Sequence, residues 1–377
     1  MKALLVAGGS GGHLIPALAL AERLGSSGSC LILSTSRPVD RIVAHGSGLE
    51  WMTVDLKPLA PWWRWFSPGY TLHQCRAIRH VWRSIRQVQP DVVVGFGGYL
   101  SAVGILAGYL SQFPTVIHEQ NVLPGRANRW LSFLADEVAV SFSETKDHLT
   151  PRARVEVTGN PIRSAMGKVE FEQARAYFGF DLKRPVLLVM GGSQGSSAIN
   201  AVSLAMWEGR SWEDRQRIQV LHLAGLAQAT EVEVAYRRWG IHARVFPFLK
   251  EFHMALAAAS LAIARAGATV IAELMAVQLP ALLIPYPYAG GHQRANAHWM
   301  EARGAAVVLE QKSLTLQRLW EEVGCLLWND PERLERMRST FSLNGDKGDG
   351  SAVDCLGALV EKTARAKSST ALPRSVQ

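Results

Sequence analysis

Cysteine is scarce in this chain. Cys30, Cys75, Cys325 and Cys355 are its 4 cysteines in 377 residues, with no CxxC pair among them. That signals neither a disulfide scaffold nor a redox or zinc motif, and fits a reducing, cytoplasmic compartment. No HExxH, DxD or clustered Cys/His pattern occurs, so the sequence marks no metal site and no tightly bound cofactor. Charged residues make up 19% and hydrophobic ones 48%, a globular balance that excludes a disordered chain. No targeting segment is read: Met1 to Ala7 is too short for one and runs directly into glycines. Long apolar runs are limited to the uncharged stretch Val92 to Leu110, long enough to cross a bilayer. Its interior, Gly95-Phe96-Gly97-Gly98-Tyr99-Leu100-Ser101, reads instead as a strand, a turn and a helix start. Acid is in the minority, with 32 Asp+Glu against 40 Lys+Arg and a formal charge of +8. Nucleic acid, an anionic membrane or a phosphorylated substrate would each suit that excess.

What is present is a repeated design. Lys2 to Ala7 is an apolar run, followed by Gly8-Gly9-Ser10-Gly11-Gly12-His13 and an amphipathic pattern to Leu24. Pro185 to Met190 is a second run, followed by Gly191-Gly192-Ser193-Gln194-Gly195 and a helix pattern from Ser197. Strand, glycine turn and helix open a doubly wound α/β domain. Two copies in 377 residues predict two such domains. Further buried strands are expected at Asp91–Val94, Thr115–His118, Glu137–Ser141, Ile218–Leu223, Leu261–Ala264 and Ala281–Pro285. Gly and Asn-Pro punctuate Val155 to Arg163, which reads as the linker. The expected division is 1–160 and 161–345, with a last helix over 351–367 able to pack on either domain.

The glycine turns carry the first chemical signal. Each places backbone N–H groups at a helix N-terminus, where unsatisfied donors and the helix dipole favour anions. A tight turn without a ligand is the plainer alternative. His13 strengthens the functional reading, because imidazole serves as a base or a phosphate partner near neutral pH. Gly97-Gly98-Tyr99-Leu100-Ser101 repeats the logic, and His118-Glu119-Gln120-Asn121 puts polar groups straight after an apolar strand. In the second half, Ser193 is available to a phosphate. Glu273 follows the Ala264-Arg265-Ala266-Gly267-Ala268-Thr269 turn, where a carboxylate can accept from two ribose hydroxyls. Arg265 otherwise reads as an ordinary surface ion. Gln293 and Asn296 share a helical face and suit a polyhydroxylated substrate such as a sugar.

These motifs, with Leu14-Ile15-Pro16-Ala17-Leu18-Ala19 and Gly159-Asn160-Pro161-Ile162-Arg163, occur in order. Together they resemble the MurG family of bacterial transferases, over about residues 2 to 310. That family moves N-acetylglucosamine (GlcNAc) from UDP-GlcNAc onto undecaprenyl-diphospho-N-acetylmuramoyl-pentapeptide, lipid I, with inversion. The resemblance implies a GT-B fold: two Rossmann-like domains facing a cleft, with the final helix returning to the N-terminal one. It implies UDP-GlcNAc as donor, with Arg163 and the Leu249 backbone at uracil, Ser193 at a phosphate and Glu273 at the ribose. Ala268 and Thr269 hold phosphate and sugar. Gln293, Asn296 and Asn121 hold the GlcNAc, helped by Ser10, Gly11 and Gly12. The acceptor diphosphate falls to Gly9, Gly12, Gly98, Tyr99 and Ser101. His13 is the expected base for the muramoyl C4 hydroxyl, with binding of the acceptor diphosphate as its competing role and Glu119 in reserve as base. The first turn reads Gly-Gly-Ser where the family has Gly-Gly-Thr, and Phe246-Pro247-Phe248-Leu249 is the loosest match.

The charge also has a place. No acid lies between Asp55 and Asp91, an interval holding Lys57, Arg64, Arg76, Arg79, Arg83 and Arg86 with Trp62, Trp63, Trp65 and Phe66. On a helix over 71–88 the arginines form one stripe and Ile78, Val81, Trp82 and Ile85 the opposite one, with Leu72 at the border. Tryptophan favours the membrane interface, and each Arg adds ~1 kcal/mol at an anionic surface. This segment is the expected membrane patch of a peripheral protein on the cytoplasmic face of the inner membrane, a setting that brings other cell-wall synthesis proteins within reach as partners. No nucleic-acid motif appears. Open alternatives are another GT-B transferase with a lipid acceptor, such as a diacylglycerol galactosyltransferase, a nucleotide-sugar epimerase, and a non-enzymatic basic binding module.

Overall fold

The structure, a computed structural model of the chain, describes residues 1–9, 11–25, 28–37, 40, 48–57, 67–192, 195–343 and 351–368. The chain divides into two compact units, Met1–Arg163 with Gly350–Gln377, and Ser164–Asp349.

The first unit runs β1 (Lys2–Val6), α1 (Gly11–Gly25), β2 (Ser29–Thr35), β3 (Glu50–Val54), α2 (Pro68–Val88), β4 (Val92–Gly95), α3 (Gly98–Leu110), β5 (Thr115–Glu119), α4 (Arg126–Leu131), β6 (Glu137–Val140) and β7 (Val155–Val157). The strands form one parallel sheet in the order β3-β2-β1-β4-β5-β6-β7. The central strands are continuous apolar runs because helices cover both faces. Strand order reverses between β1 and β4, and ligands of such sheets bind outside the strand C-termini at that point. Val92 to Leu110 is, as its glycines imply, β4, a turn and α3. In α3, Gly104 lets the helix settle on β1, since a Cβ there would stand 2.9 Å from Val6.

The second unit runs α5 (Phe171–Phe178), β8 (Val186–Met190), α6 (Ser197–Ala205), α7 (Trp212–Gln216), β9 (Gln219–Leu223), α8 (Ala229–Arg238), β10 (Ala243–Phe246), α9 (Phe252–Ala258), β11 (Leu261–Ala264), α10 (Ala268–Ala276), β12 (Ala281–Leu283), α11 (His292–Ala302), β13 (Ala306–Val308), α12 (Leu316–Gly324) and α13 (Pro331–Leu343). Its parallel sheet is ordered β10-β9-β8-β11-β12-β13, reversing between β8 and β11. One face of its core holds Ile199, Trp207, Tyr236 and Leu319.

The last helix, α14 (Ser351–Ser368), belongs to the first unit. Its Leu356, Leu359 and Val360 complete a core with Leu14, Leu20 and Leu24 of α1. Arg23 of α1 donates to Asp354 and Glu361 across that junction, both at 2.9 Å. The other face of the sheet is closed by Val81 and Ile85 of α2 with Leu100 and Ile105 of α3.

Two expectations need correction. Val155–Val157 is not linker but an edge strand, because its backbone pairs with β6. On α2 the buried stripe is Gln74, Ala77, Val81, Ser84 and Ile85, while Ile78 and Trp82 are each 37% exposed. The core-facing side is therefore narrower and more polar than the spacing implied.

Candidate active site

The two reversal points are where the motifs gather. In the first unit, Gly8 and Gly9 follow β1, Gly97 and Gly98 follow β4, and His13 stands on the first turn of α1. Gly97 and Gly98 have φ of 95° and 79°, a region that disfavours side chains. A Cβ on Gly97 would lie 3.0 Å from His13 Cε1 and one on Gly98 3.8 Å from Nε2, so this turn admits the imidazole because it carries no side chains. Burial lowers the His13 pKa below its usual 6.5, against the opposing pull of Glu119, the Gln120 and Phe96 hydrogen bonds and Asp40. The ring is neutral at neutral pH.

β5 delivers His118 and Glu119, followed by Gln120, all buried. His13 Nδ1 lies 3.3 Å from Gln120 Oε1. Gln120 Nε2 lies 3.0 Å from the Phe96 carbonyl, 3.0 Å from His118 Nδ1 and 3.1 Å from the His118 carbonyl. His118 Nε2 donates to the Gly159 carbonyl at 3.0 Å, and burial pushes its pKa down to about 4.

Several expected site residues have internal partners. Glu119 accepts from the Asn121 N–H and side-chain amide at 2.9 and 3.0 Å, and from the Gly125 N–H and Asn128 Nδ2, both at 2.9 Å. Both oxygens are engaged in organising the loop after β5, which favours His13 over Glu119 as the base. The Gly9 N–H donates to the Asp40 carboxylate, 3.1 Å from Oδ2, and Thr35 Oγ1 donates to the same carboxylate. That amide of the first turn is therefore not open to a substrate anion. Ser101 Oγ accepts from the Gly97 N–H at 3.1 Å, clamping the turn from within. Tyr99 is half-buried, and burial, with Tyr70 and Cys75 close by, raises its phenol pKa.

In the second unit, a Cβ on Gly195 (φ 76°) would stand 2.5 Å from the Ala224 carbonyl, and one on Gly191 would collide with Ser196 N. Ser196 Oγ caps α6. Arg265, read as a surface ion, is 6% exposed. It donates to Ser196 Oγ at 2.9 Å and to the Ile284 and Pro285 carbonyls at 3.0 and 3.3 Å. It thus ties together the ends of β8, β11 and β12. Thr269 and Glu273 are buried on α10. Gln293 Oε1 accepts from the Tyr286 N–H at 2.9 Å, and Asn296 Nδ2 donates to the Ala266 carbonyl at 3.1 Å. Asn296 therefore holds the turn after β11. The Leu249 side chain is buried and Arg163 half-buried. Asn200 donates to the Ala224 carbonyl at 2.8 Å and meets His222 Nε2 at 3.1 Å, which fastens α6 beside the glycine turn. Ser10, Ser193, Trp62, Trp63 and Trp65 lie outside the described residues.

Asp40, Gln120, Asn128 and Asn200 were not singled out as site residues in the sequence, because their partners are remote in the chain. Only Gln120 had a visible signal, its position after a buried strand. Among the described residues, no group of three or more His, Cys, Asp or Glu is placed to hold a metal ion.

Two doubly wound parallel sheets, each with a glycine turn where the strand order reverses, form the GT-B architecture. Residues 3–140 match the N-terminal domain and residues 186–348 the C-terminal domain of glycosyltransferase family 28. The chain belongs to that family. It is 34% identical to the "UDP-N-acetylglucosamine--N-acetylmuramyl-(pentapeptide) pyrophosphoryl-undecaprenol N-acetylglucosamine transferase" of Halothermothrix orenii, covering 97% of this chain and 100% of that protein. It is 39% identical to the protein of the same name from Syntrophotalea carbinolica, over 91% and 94% of the two chains. The crystal structure of Acinetobacter baumannii MurG superposes with a TM-score of 0.71 at 27% identity, covering 96% of this chain and all 100% of that one. A UDP-GlcNAc 2-epimerase from Neisseria meningitidis shares the fold, with a TM-score of 0.68 at 16% identity over 96% of this chain and 100% of its own.

Proposed function

We propose that the chain transfers GlcNAc from UDP-GlcNAc to the muramoyl C4 hydroxyl of undecaprenyl-diphospho-N-acetylmuramoyl-pentapeptide, with inversion, in peptidoglycan synthesis. The observation that carries this is identity of 34% and 39% to transferases of that name over nearly their whole length. In this reading the C4 oxygen attacks the anomeric carbon as His13 Nε2 takes its proton, and the bond from that carbon to the diphosphate breaks to release UDP. A neutral imidazole suits that task. The second unit takes the donor: Ser193 and the segment at Ala268 and Thr269 take the diphosphate, Glu273 the ribose and the Leu249 backbone the uracil. Gln293 serves the sugar. Backbone donors at such turns stabilise the charge that develops on the leaving diphosphate. The Gly9 amide is engaged by Asp40, and Gly12, Gly98, Tyr99 and Ser101, whose oxygen accepts from the Gly97 N–H and whose O–H is still a donor, are assigned to the acceptor diphosphate.

The first unit also carries the membrane patch. No described helix is long and apolar enough to cross a membrane. On α2, Arg76, Arg79 and Arg83 are exposed beside Leu72, Ile78 and Trp82. α3 packs on α2 and α4 on α3, adding Leu110 at 66% and Trp130 at 74% exposure. Exposed apolar groups ringed by arginine suit peripheral attachment to an anionic bilayer. Arg76/Arg79/Arg83→Glu should lose binding to anionic vesicles; unchanged binding removes the patch.

An assay with UDP-GlcNAc and a short-chain lipid I analogue tests the activity. UDP and a GlcNAc-extended acceptor of inverted configuration are expected. Turnover confined to UDP-galactose with diacylglycerol, or UDP release without any acceptor, overturns the reading.

A further inference from the structure

We propose that Gln120 and His118 are positioning residues forming a hydrogen-bond relay, anchored on the Gly159 carbonyl, that fixes the proton of His13 on Nδ1 and leaves Nε2 as its lone-pair nitrogen. The proposal deepens the reading of His13 as the base and rests on it for its catalytic consequence.

The direction of every bond follows from groups that can only accept. A backbone carbonyl has no proton to give, so His118 Nε2, 3.0 Å from the Gly159 carbonyl, must carry the hydrogen. His118 is fully buried and its pKa lies near 4, so it is neutral and its Nδ1 bears the lone pair. Gln120 places one end of its amide against that lone pair and against the carbonyls of Phe96 and His118, at 3.0 to 3.1 Å. Three acceptors around one atom identify it as the NH2 group, because an oxygen there would face only repulsion. The other end is therefore the oxygen, and it points at His13 Nδ1, 3.3 Å away. An imidazole nitrogen facing an amide oxygen carries its proton when the ring is neutral. The lone pair then sits on Nε2, on the side of the ring that meets Gly98.

Each member is held. Gln120 is 2% exposed and His118 0%. The His118 backbone is paired with Ala139 of β6, and burial with its contacts to the Gly159 carbonyl and Gln120 holds the ring. Gly159 lies in the first unit just after β7, and a Cβ on it would stand 2.9 Å from Ala352 of α14. The charged neighbours of His13, Glu119 and Asp40, act on its affinity for a proton and do not dictate which nitrogen holds it; the Phe96 carbonyl, which also accepts from the ring, favours a protonated nitrogen alongside Gln120. The wrong tautomer would aim an N–H at the hydroxyl to be deprotonated, leaving the base chemically silent though correctly placed.

Nitrogen-15 NMR of the full chain labelled at histidine reads the tautomer directly. In the native protein, with His13→Ala used for assignment, His13 should show a protonated Nδ1 and an unprotonated Nε2. Gln120→Leu should convert the ring to the other tautomer or a mixture and lower kcat at least tenfold, with UDP-GlcNAc affinity by calorimetry within about twofold. A native ring protonated on Nε2, or a Gln120→Leu protein that binds UDP-GlcNAc and keeps the native tautomer, overturns the relay. If Gln120→Leu fails to fold, the native spectrum still decides. Turnover of His13→Ala tests the base reading separately: near-native kcat there removes the base and leaves the tautomer result standing.

Discussion

Glu119 commits both carboxylate oxygens to the loop that follows it, and this separates it from His13. Glu119→Gln would turn an NH2 group toward donors that now meet an oxygen, at ~1–3 kcal/mol for each unsatisfied group. The expected outcome is a fall in thermal midpoint together with activity; an unaltered midpoint with lost turnover would restore Glu119 as a catalytic candidate. His13→Ala, by contrast, should lower kcat by about 10²–10⁴-fold with donor binding kept. Because burial holds the His13 pKa below 6.5, and the ring acts only when neutral, kcat/KM should fall as pH drops through a value below 6.5. That acid limb should vanish in the residual activity of His13→Ala. The sequence made His13 legible as a type of residue in a type of turn. It could not show that Gly9 is paired 31 residues away with Asp40, or His118 41 residues away with Gly159, because such partners are fixed by the sheet and not by spacing.

At the scale of elements, strands buried on both faces were readable as unbroken apolar runs, as in Val186–Met190 and Leu261–Ala264. Edge strands were not. Glu50–Val54, Val155–Val157 and Ala243–Phe246 are short, carry charge and are partly exposed, so one face has no hydrophobic requirement to write into the sequence. The glycine turns were visible as composition, but their strictness is a matter of approach. Gly195 combines φ 76° with a carbonyl 2.5 Å from any added Cβ. Gly195→Ala should therefore move the turn before α6 and weaken UDP binding at least tenfold by calorimetry, while vesicle binding through α2 stays native.

For the whole molecule, the buried His118 and His222 set an acid limit. Burial lowers the pKa of His222 to about 3 and of His118 to about 4, whereas an unfolded histidine titrates near ~6.5. Below that pH the unfolded chain binds protons that the folded one refuses, so stability is complete above ~6.5 and declines as pH falls toward these lower values. The urea midpoint should drop between pH 7 and pH 5, and the drop should be smaller in His222→Gln even though that variant starts lower. The returning helix has a different bearing, on the order in which the protein is made. Leu356, Leu359 and Val360 fill the core beneath α1, yet the ribosome reaches them only after the entire second unit. Throughout synthesis, then, the half of the enzyme that emerges first waits with an open hydrophobic seam, and the half that emerges second is free to close before it.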